Sequence, residues 1–98
     1  MKTVTDICFA RVAEVIWRRI GDKVVVISED GQSTHVLNKT AAEIWEACDG
    51  NTGIAEIADR LCDRFEVSFK QASAETAEFI EKLVQLEIMK PAEEADNG

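Results

Sequence analysis

The chain has 98 residues, a length that supports a single domain, because half of it could not bury a sufficient core. Hydrophobic residues make up 46% of it and charged residues 31%, which is typical of a globular chain rather than a disordered one. The net charge of −8 argues against nucleic acid as a partner, since phosphate binding requires clustered Lys and Arg. No apolar run reaches the roughly 20 residues of a membrane-spanning helix. Residues 1–6 also lack the apolar stretch of a signal peptide, so we expect a cytoplasmic protein.

The cysteines are too far apart to suggest a metal site. Cys8, Cys48 and Cys62 form neither a CxxC motif nor a Cys/His pair, so the sequence predicts no zinc site and no disulfide framework. Cys48 and Cys62 fall on apolar helix positions, where buried structural thiols are common. We expect no metal and no other cofactor.

Both ends of the chain differ from its middle. Residues 1–11 show no clear period and are interpreted as an N-terminal arm, which is either frayed or docked through Ile7 and Phe9. Residues 12–90 form the predicted domain. Residues 91–98 begin with Pro91 and are acidic and poor in apolar side chains, which predicts a disordered tail.

Three strand-like segments open the domain. The first alternates apolar and polar residues around Trp17, whose position under a helix or on an open sheet face the spacing leaves undecided. The second, residues 24–27, is a continuous apolar run that suits a central strand covered on both faces. The dipeptide Asp30-Gly31 favours a tight hairpin, and residues 33–37 form the returning third strand.

Three amphipathic helices are predicted to follow, since the apolar period changes from 2 to 3.6. The first begins either at the N-cap Asn38 or at Thr40, and it carries Trp45 on its apolar face. We expect Thr52 to cap the second helix and Ser68 to cap the third. Three strands followed by three helices define an α+β domain.

The third strand is an edge of the predicted sheet. Edge strands present unpaired amides and carbonyls that another chain can use, and residues 33–37 contain neither Pro nor a fixed charge. A helix or the N-terminal arm covering this edge is the alternative, and the pattern leaves both open.

Catalytic chemistry has no specific signature in this sequence. His35 is the only histidine and has no Ser or Cys motif around it, so we interpret it as structural. No Gly-rich loop precedes a helix in a phosphate-binding pattern. We expect the protein not to be an enzyme.

Two segments resemble a known family. Residues 36–44 (VLNKTAAEI) and 48–57 (CDGNTGIAEI) are similar to the "LNxTAxxI" and "CDGxxTxxEI" segments of the PqqD-like proteins, also called RiPP recognition elements. The resemblance covers roughly residues 12–90. It implies a winged-helix-like fold with an N-terminal three-stranded antiparallel sheet followed by three helices.

The resemblance also implies a site. In this family the leader of a ribosomally made precursor peptide adds as a strand at the third strand, in a cleft beside the third helix. Carried across by position, the strand contributes Ser33, Thr34, His35, Val36 and Leu37. The helix contributes Phe79, Lys82, Leu83 and Leu86, with Glu75 and Glu78 able to meet a basic leader residue. Core packing is the alternative role for Phe79 and Leu83.

The leading hypothesis is a non-catalytic peptide chaperone that holds a precursor's leader for a modifying enzyme. The resemblance implies that this enzyme is often of the radical-SAM type, in pyrroloquinoline quinone biosynthesis or in another peptide-modifying pathway. One alternative is a winged-helix nucleic-acid binder, which the acidic second helix disfavours. The other is a structural subunit that dimerises through its open sheet edge, whereas the chaperone would be a monomer or a weak dimer.

Overall fold

The computed structural model describes residues 7–92 of the chain. Within that range six strands and three helices follow one another. They are β1 (Cys8–Arg11), β2 (Ile16–Ile20), β3 (Lys23–Ile27), β4 (Thr34–Leu37), α1 (Lys39–Ala47), β5 (Asp49–Gly53), α2 (Ile54–Arg64), α3 (Phe69–Gln85) and β6 (Met89–Pro91).

The predicted three-stranded meander is confirmed. Strands β2, β3 and β4 form an antiparallel sheet in that order, so β2 and β4 are its edges. The register pairs Trp17 with Val26 and Val26 with His35 across the sheet. Because side chains alternate along a strand, these residues share the inner face that packs on the helices.

The central strand is covered on one face only, so the prediction of a doubly covered strand is wrong. Val24 and Val26 are fully buried, whereas Val25 and Ile27 on the outer face are only partly buried. A continuous apolar run does not by itself tell these two situations apart. The outer face is therefore an apolar surface that no helix protects.

A second sheet, which the sequence did not predict, joins distant parts of the chain. Its order is β5-β1-β6, with β1 antiparallel to both neighbours. The docked alternative for residues 7–11 is thus the one observed, through strand pairing. Residues 1–6 of the predicted arm lie outside the described residues. Of the predicted tail, Pro91 ends β6 and residues 93–98 lie outside the described range.

Strand β5 has a sequence typical of a turn, DGNTG, and its own polar groups hold it. The Asp49 carboxylate accepts hydrogen bonds from the Asn51 amide (2.9 Å) and the Thr52 hydroxyl (3.1 Å). These bonds, the Asn51 amide first, lower the pKa of Asp49. The Thr52 hydroxyl is therefore hydrogen-bonded to Asp49. The residue at the N-cap of α2 is Gly53, which provides no side-chain cap, so the predicted Thr52 cap is wrong.

The other two helix starts follow the sequence. The Asn38 side chain accepts a hydrogen bond from the Ala41 amide (3.0 Å), which selects Asn38 over Thr40 as the cap of α1. The Ser68 hydroxyl accepts one from the Gln71 amide (3.1 Å), as predicted for α3.

Trp45 is the centre of the core. It is fully buried on α1, and the ring of Trp17 meets it edge-on with 6.0 Å between ring centroids. Trp17 thus lies under the helices and is partly buried. Arg11 of β1 stands over the Trp17 ring and donates to the carbonyls of Trp45 and Glu46, both at 2.9 Å. This arginine ties the second sheet to the end of α1.

Candidate functional site

Strand β4 presents an open edge with its backbone groups in a defined order. Ser28 donates its amide to the carbonyl of Ser33 at the base of the β3–β4 hairpin. In an antiparallel pair, hydrogen-bonded and non-hydrogen-bonded positions alternate, so His35 pairs with β3 through its backbone. The amides and carbonyls of Thr34 and Val36 therefore point away from the sheet. In the described part of the chain no strand pairs with them.

The side chains of β4 divide between the two faces of the sheet. His35 and Leu37 turn inward, and Leu37 is buried in the core. Thr34 and Val36 turn outward, and 63% of the Val36 surface is exposed. A chain that pairs with this edge would thus meet Thr34 and Val36 through both backbone and side chain.

Ser33 takes part in the hairpin loop instead of the open edge. Its amide donates to the Ser28 hydroxyl (3.1 Å) and its carbonyl accepts from the Ser28 amide (2.9 Å). Of the five predicted edge residues, Ser33 is the one that precedes the strand, which begins at Thr34.

The hairpin loop is longer than the predicted two-residue turn, and its residues bond to one another. Gly31 has a φ of +73° and donates its amide to the Ser28 carbonyl, while Asp30 does not adopt a positive φ. The Asp30 carboxylate accepts from the Ser28 hydroxyl (2.7 Å) and the Gln32 amide (2.9 Å). The Ser28 bond, followed by the Gln32 bond, lowers the pKa of Asp30. The loop therefore keeps a charged carboxylate in a fixed position.

Helix α3 packs chiefly against α2, and its C-terminal end approaches the β3–β4 hairpin loop. Among the described residues, no side-chain hydrogen bond or ion pair joins α3 to β4. A surface depression of about 520 Å³ lies between the hairpin loop and the end of the helix. Its lining comprises Ser28, Glu29, Asp30, Ser33, Leu86 and Glu87.

The predicted helix residues fall into three groups. Leu86, which is 42% exposed, shares the large depression with Ser33. A smaller depression of about 210 Å³ further along α3 is lined by Glu75, Glu78, Phe79 and Lys82. Leu83 is 1% exposed and belongs to the core, so its contact with a bound chain would require α3 to move. Phe79 is partly buried, packs against the core and borders the smaller depression.

Glu87 also lines the large depression, although nothing in the sequence marks it as a site residue. Glu87 has a φ of +65° and occupies the left-handed position after α3, where Gly is usual. Its amide donates to the Val84 carbonyl (2.9 Å), and the next amide, of Ile88, donates to the Leu83 carbonyl (3.2 Å). These two bonds form a Schellman motif. Because this position carries Glu instead of Gly, the sequence gives no signal of the Schellman motif.

The groups that the described residues offer at this edge are mainly backbone amides and carbonyls. In residues 7–92 no group of three His, Cys, Asp or Glu side chains could hold a metal ion. His35 has neither a nucleophile nor a carboxylate as a hydrogen-bond partner in that range. An open strand edge and an acidic cleft beside it can instead hold an extended chain through its backbone.

Within the described range, no helix is long and apolar enough to cross a membrane. A three-stranded antiparallel sheet with an open edge, together with three helices, places the chain in the α+β, winged-helix-like class. The family model described as "Coenzyme PQQ synthesis protein D (PqqD)" matches residues 23–88. The chain belongs to this family. No curated protein matches its sequence.

Two solved structures share the fold. One, described as TbiB1 in complex with the TbiA(beta) leader peptide, has a TM-score of 0.74 and 20% identity over 82% of this chain and 93% of its own. The other, lasso peptide synthetase B1 complexed with the leader peptide, has a TM-score of 0.76 and 22% identity over 85% of this chain and 98% of its own. The shared fold covers most of this chain and nearly all of each matched protein.

Proposed function

We propose that this chain is a non-catalytic peptide chaperone. It binds the leader segment of a ribosomally made precursor peptide by strand addition and presents the peptide to a modifying enzyme. Membership of the PqqD family supports this function, as do two solved structures of the same fold that contain leader peptides.

The observation that carries the proposal is the open edge of β4. Thr34 and Val36 offer backbone amides and carbonyls on the side of the sheet that no described strand occupies. A peptide in extended conformation satisfies these groups, and its own backbone supplies the partners whatever its sequence. Backbone pairing therefore accounts for general affinity.

Two surface depressions, one at the hairpin loop and one along α3, provide the selection among peptides. Leu86 offers an apolar contact at one end, and Phe79 offers another further along α3. Glu29, Asp30 and Glu87 surround the first contact, so a leader with a basic side chain next to an apolar one fits there.

Chemistry on the peptide belongs to the partner enzyme in this proposal. The chaperone raises the local concentration of the precursor at that enzyme, because a precursor held by a chaperone that is itself bound to the enzyme stays close to the enzyme. A radical-SAM enzyme is the partner implied by the family resemblance. The pathway is that of pyrroloquinoline quinone or of another modified peptide.

Amide NMR tests the binding mode directly. Synthetic leaders of short precursor-like open reading frames from the same genome are titrated into the labelled protein. We expect shifts at Thr34 and Val36 and at Phe79 and Leu86. The exposed face of α2, represented by Asp59, serves as the internal control and should not shift. Shifts confined to α2, or no shifts at all, would overturn the proposed function.

A further inference from the structure

The outer face of the β2-β3-β4 sheet is unusually apolar, and it meets the proposed leader edge only at β4. Ile16 is 68% exposed and Ile20 is 58% exposed on β2, while Val36 completes the same face on β4. Val25 and Ile27 of β3 lie between them and are partly buried. A depression of about 280 Å³ runs over this face, lined mainly by apolar atoms. Patches of exposed apolar side chains of this kind mark interaction surfaces.

The same face carries positive charge on a strongly negative protein. The three strands contain no Asp or Glu, although the chain has 19 of them. Arg18 lies between Ile16 and Ile20 on β2, at the middle of the patch. It makes no hydrogen bond or ion pair with any described residue. Its neighbour Arg19 differs, because it turns to the inner side and pairs with Glu46 (2.8 Å).

The charges on this face decide which occupant it suits. A second copy packed through the same face would bring Arg18 only further basic groups, and each copy carries a net charge of −8. Residues 92–98 are acidic, yet they contain no large apolar side chain to cover Ile16 and Ile20. The surface instead complements a protein that presents apolar side chains around a carboxylate.

We propose that the outer sheet face is the docking surface for the peptide-modifying enzyme, with Arg18 as the group that pairs with a carboxylate of that enzyme. This inference rests on the proposed function for the identity of the partner. It places the enzyme on the outer face and the leader along the β4 edge of the same sheet, so that the enzyme can dock while the leader is held.

The test uses a purified radical-SAM peptide-modifying enzyme from the same organism and measures its affinity by isothermal titration calorimetry. Arg18→Glu should weaken binding by at least about tenfold, because it sets two carboxylates against each other. Ile20→Ser should also weaken it, by about tenfold. The matched control is Lys70→Glu, the same charge change at an exposed lysine of α3. It should leave the affinity within about twofold of the unaltered protein.

Leader binding separates this inference from the proposed function. Arg18→Glu should bind the synthetic leader as the unaltered protein does, since Arg18 lies on β2, at the edge opposite β4, and does not line the depression at the hairpin loop. Normal leader binding together with unchanged enzyme affinity would overturn the docking surface and leave the proposed function standing. If Arg18→Glu weakens enzyme binding while the unaltered chain does not bind the leader at all, the docking surface stands and only the proposed function is overturned.

Two other occupants would also contradict the inference. If sedimentation shows dimers of the unaltered chain that Arg18→Glu or Ile20→Ser dissociates, the face joins two copies. If deletion of residues 1–6 strengthens enzyme binding at least tenfold, those residues occupy the face in the isolated protein. We expect a monomer and no such gain.

Discussion

The Arg11 side chain helps to cap the C-terminus of α1. Its guanidinium accounts for two carbonyls in the last turn of α1 and rests on the Trp17 ring. A positive charge at a helix C-terminus also interacts favourably with the helix dipole. Since Arg11 comes from β1, this contact links the chain's first described strand to its core.

Replacing Arg11 by Ala should therefore lower the free energy of unfolding by about 2 kcal/mol, because charged hydrogen bonds to partly buried carbonyls are lost. Urea denaturation measures the change. Arg60→Ala is the matched control, since Arg60 pairs with Glu56 on the exposed face of α2 and should cost below about 0.5 kcal/mol. Equal losses in the two variants would contradict the role assigned to Arg11.

The fold strongly changes the chemistry of Cys48. Burial raises the pKa of its thiol to about 12, so the nucleophilic thiolate is absent at ordinary pH. We expect iodoacetamide at pH 8 to label Cys62, which is only partly buried, well before Cys48 in the folded protein. In urea both should react at similar rates. Mass spectrometry of peptides at successive times measures this, and early labelling of Cys48 would show that its site opens readily.

The N-termini of the helices show how far the local sequence determines where a helix begins. Asn38 and Ser68 were predictable as caps because a cap needs only a side-chain oxygen within three residues of the amide it accepts from. Thr52 also satisfies that rule, but its hydroxyl bonds to Asp49 instead. A competing partner inside β5 decided the outcome, and the capping rule does not include such partners.

The end of α3 carries a residue that the backbone does not favour. A non-Gly residue in the left-handed region costs about 1–2 kcal/mol, and Gly avoids most of that cost. Glu87→Gly should accordingly raise the free energy of unfolding by about 0.5–1 kcal/mol in urea denaturation. Glu81→Gly, the same change at an exposed position in the interior of α3, should lower the free energy of unfolding by about 1 kcal/mol. A loss of stability in both variants would mean that the Glu87 side chain stabilises the fold.

The open edge of β4 can be blocked by one substitution. Val36→Pro removes an amide that points away from the sheet and adds a ring at the edge, while the bonds from β4 to β3 remain. Leader affinity in calorimetry should fall at least tenfold. Val36→Ala retains the amide, and thermal unfolding of both variants checks the fold. A leader that binds the Pro variant normally does not pair with β4.

The main sheet and the candidate edge were predictable from the sequence, because adjacent strands joined by short turns have few possible arrangements. The β5-β1-β6 sheet was not. Its strands have three to five residues and come from three distant parts of the chain. Strand β5, with the sequence DGNTG, has almost no β propensity. Pairing with β1 gives it its conformation, so only the tertiary structure reveals it.

The N-terminal strand is consequently part of the domain. Strand β1 is the middle strand of its sheet, and its removal leaves β5 and β6 without partners. Deleting residues 1–11 should lower the melting temperature by at least about 10 °C, whereas deleting residues 1–6 should change it by less than about 3 °C. Circular dichroism on heating measures both. Equal melting temperatures would mean that residues 12–90 fold without β1.

The alternation of side chains in β4 has a consequence for the assembled complex. A leader strand beside Val36 would extend the outer face by one strand and turn every second leader side chain onto it. An enzyme docked on that face would then contact protein and leader together. Favourable contacts of this kind would make binding of each strengthen binding of the other by the same factor, because coupling between two binding events is reciprocal. The enzyme would thereby distinguish a loaded chaperone from an empty one without any change in the shape of the domain.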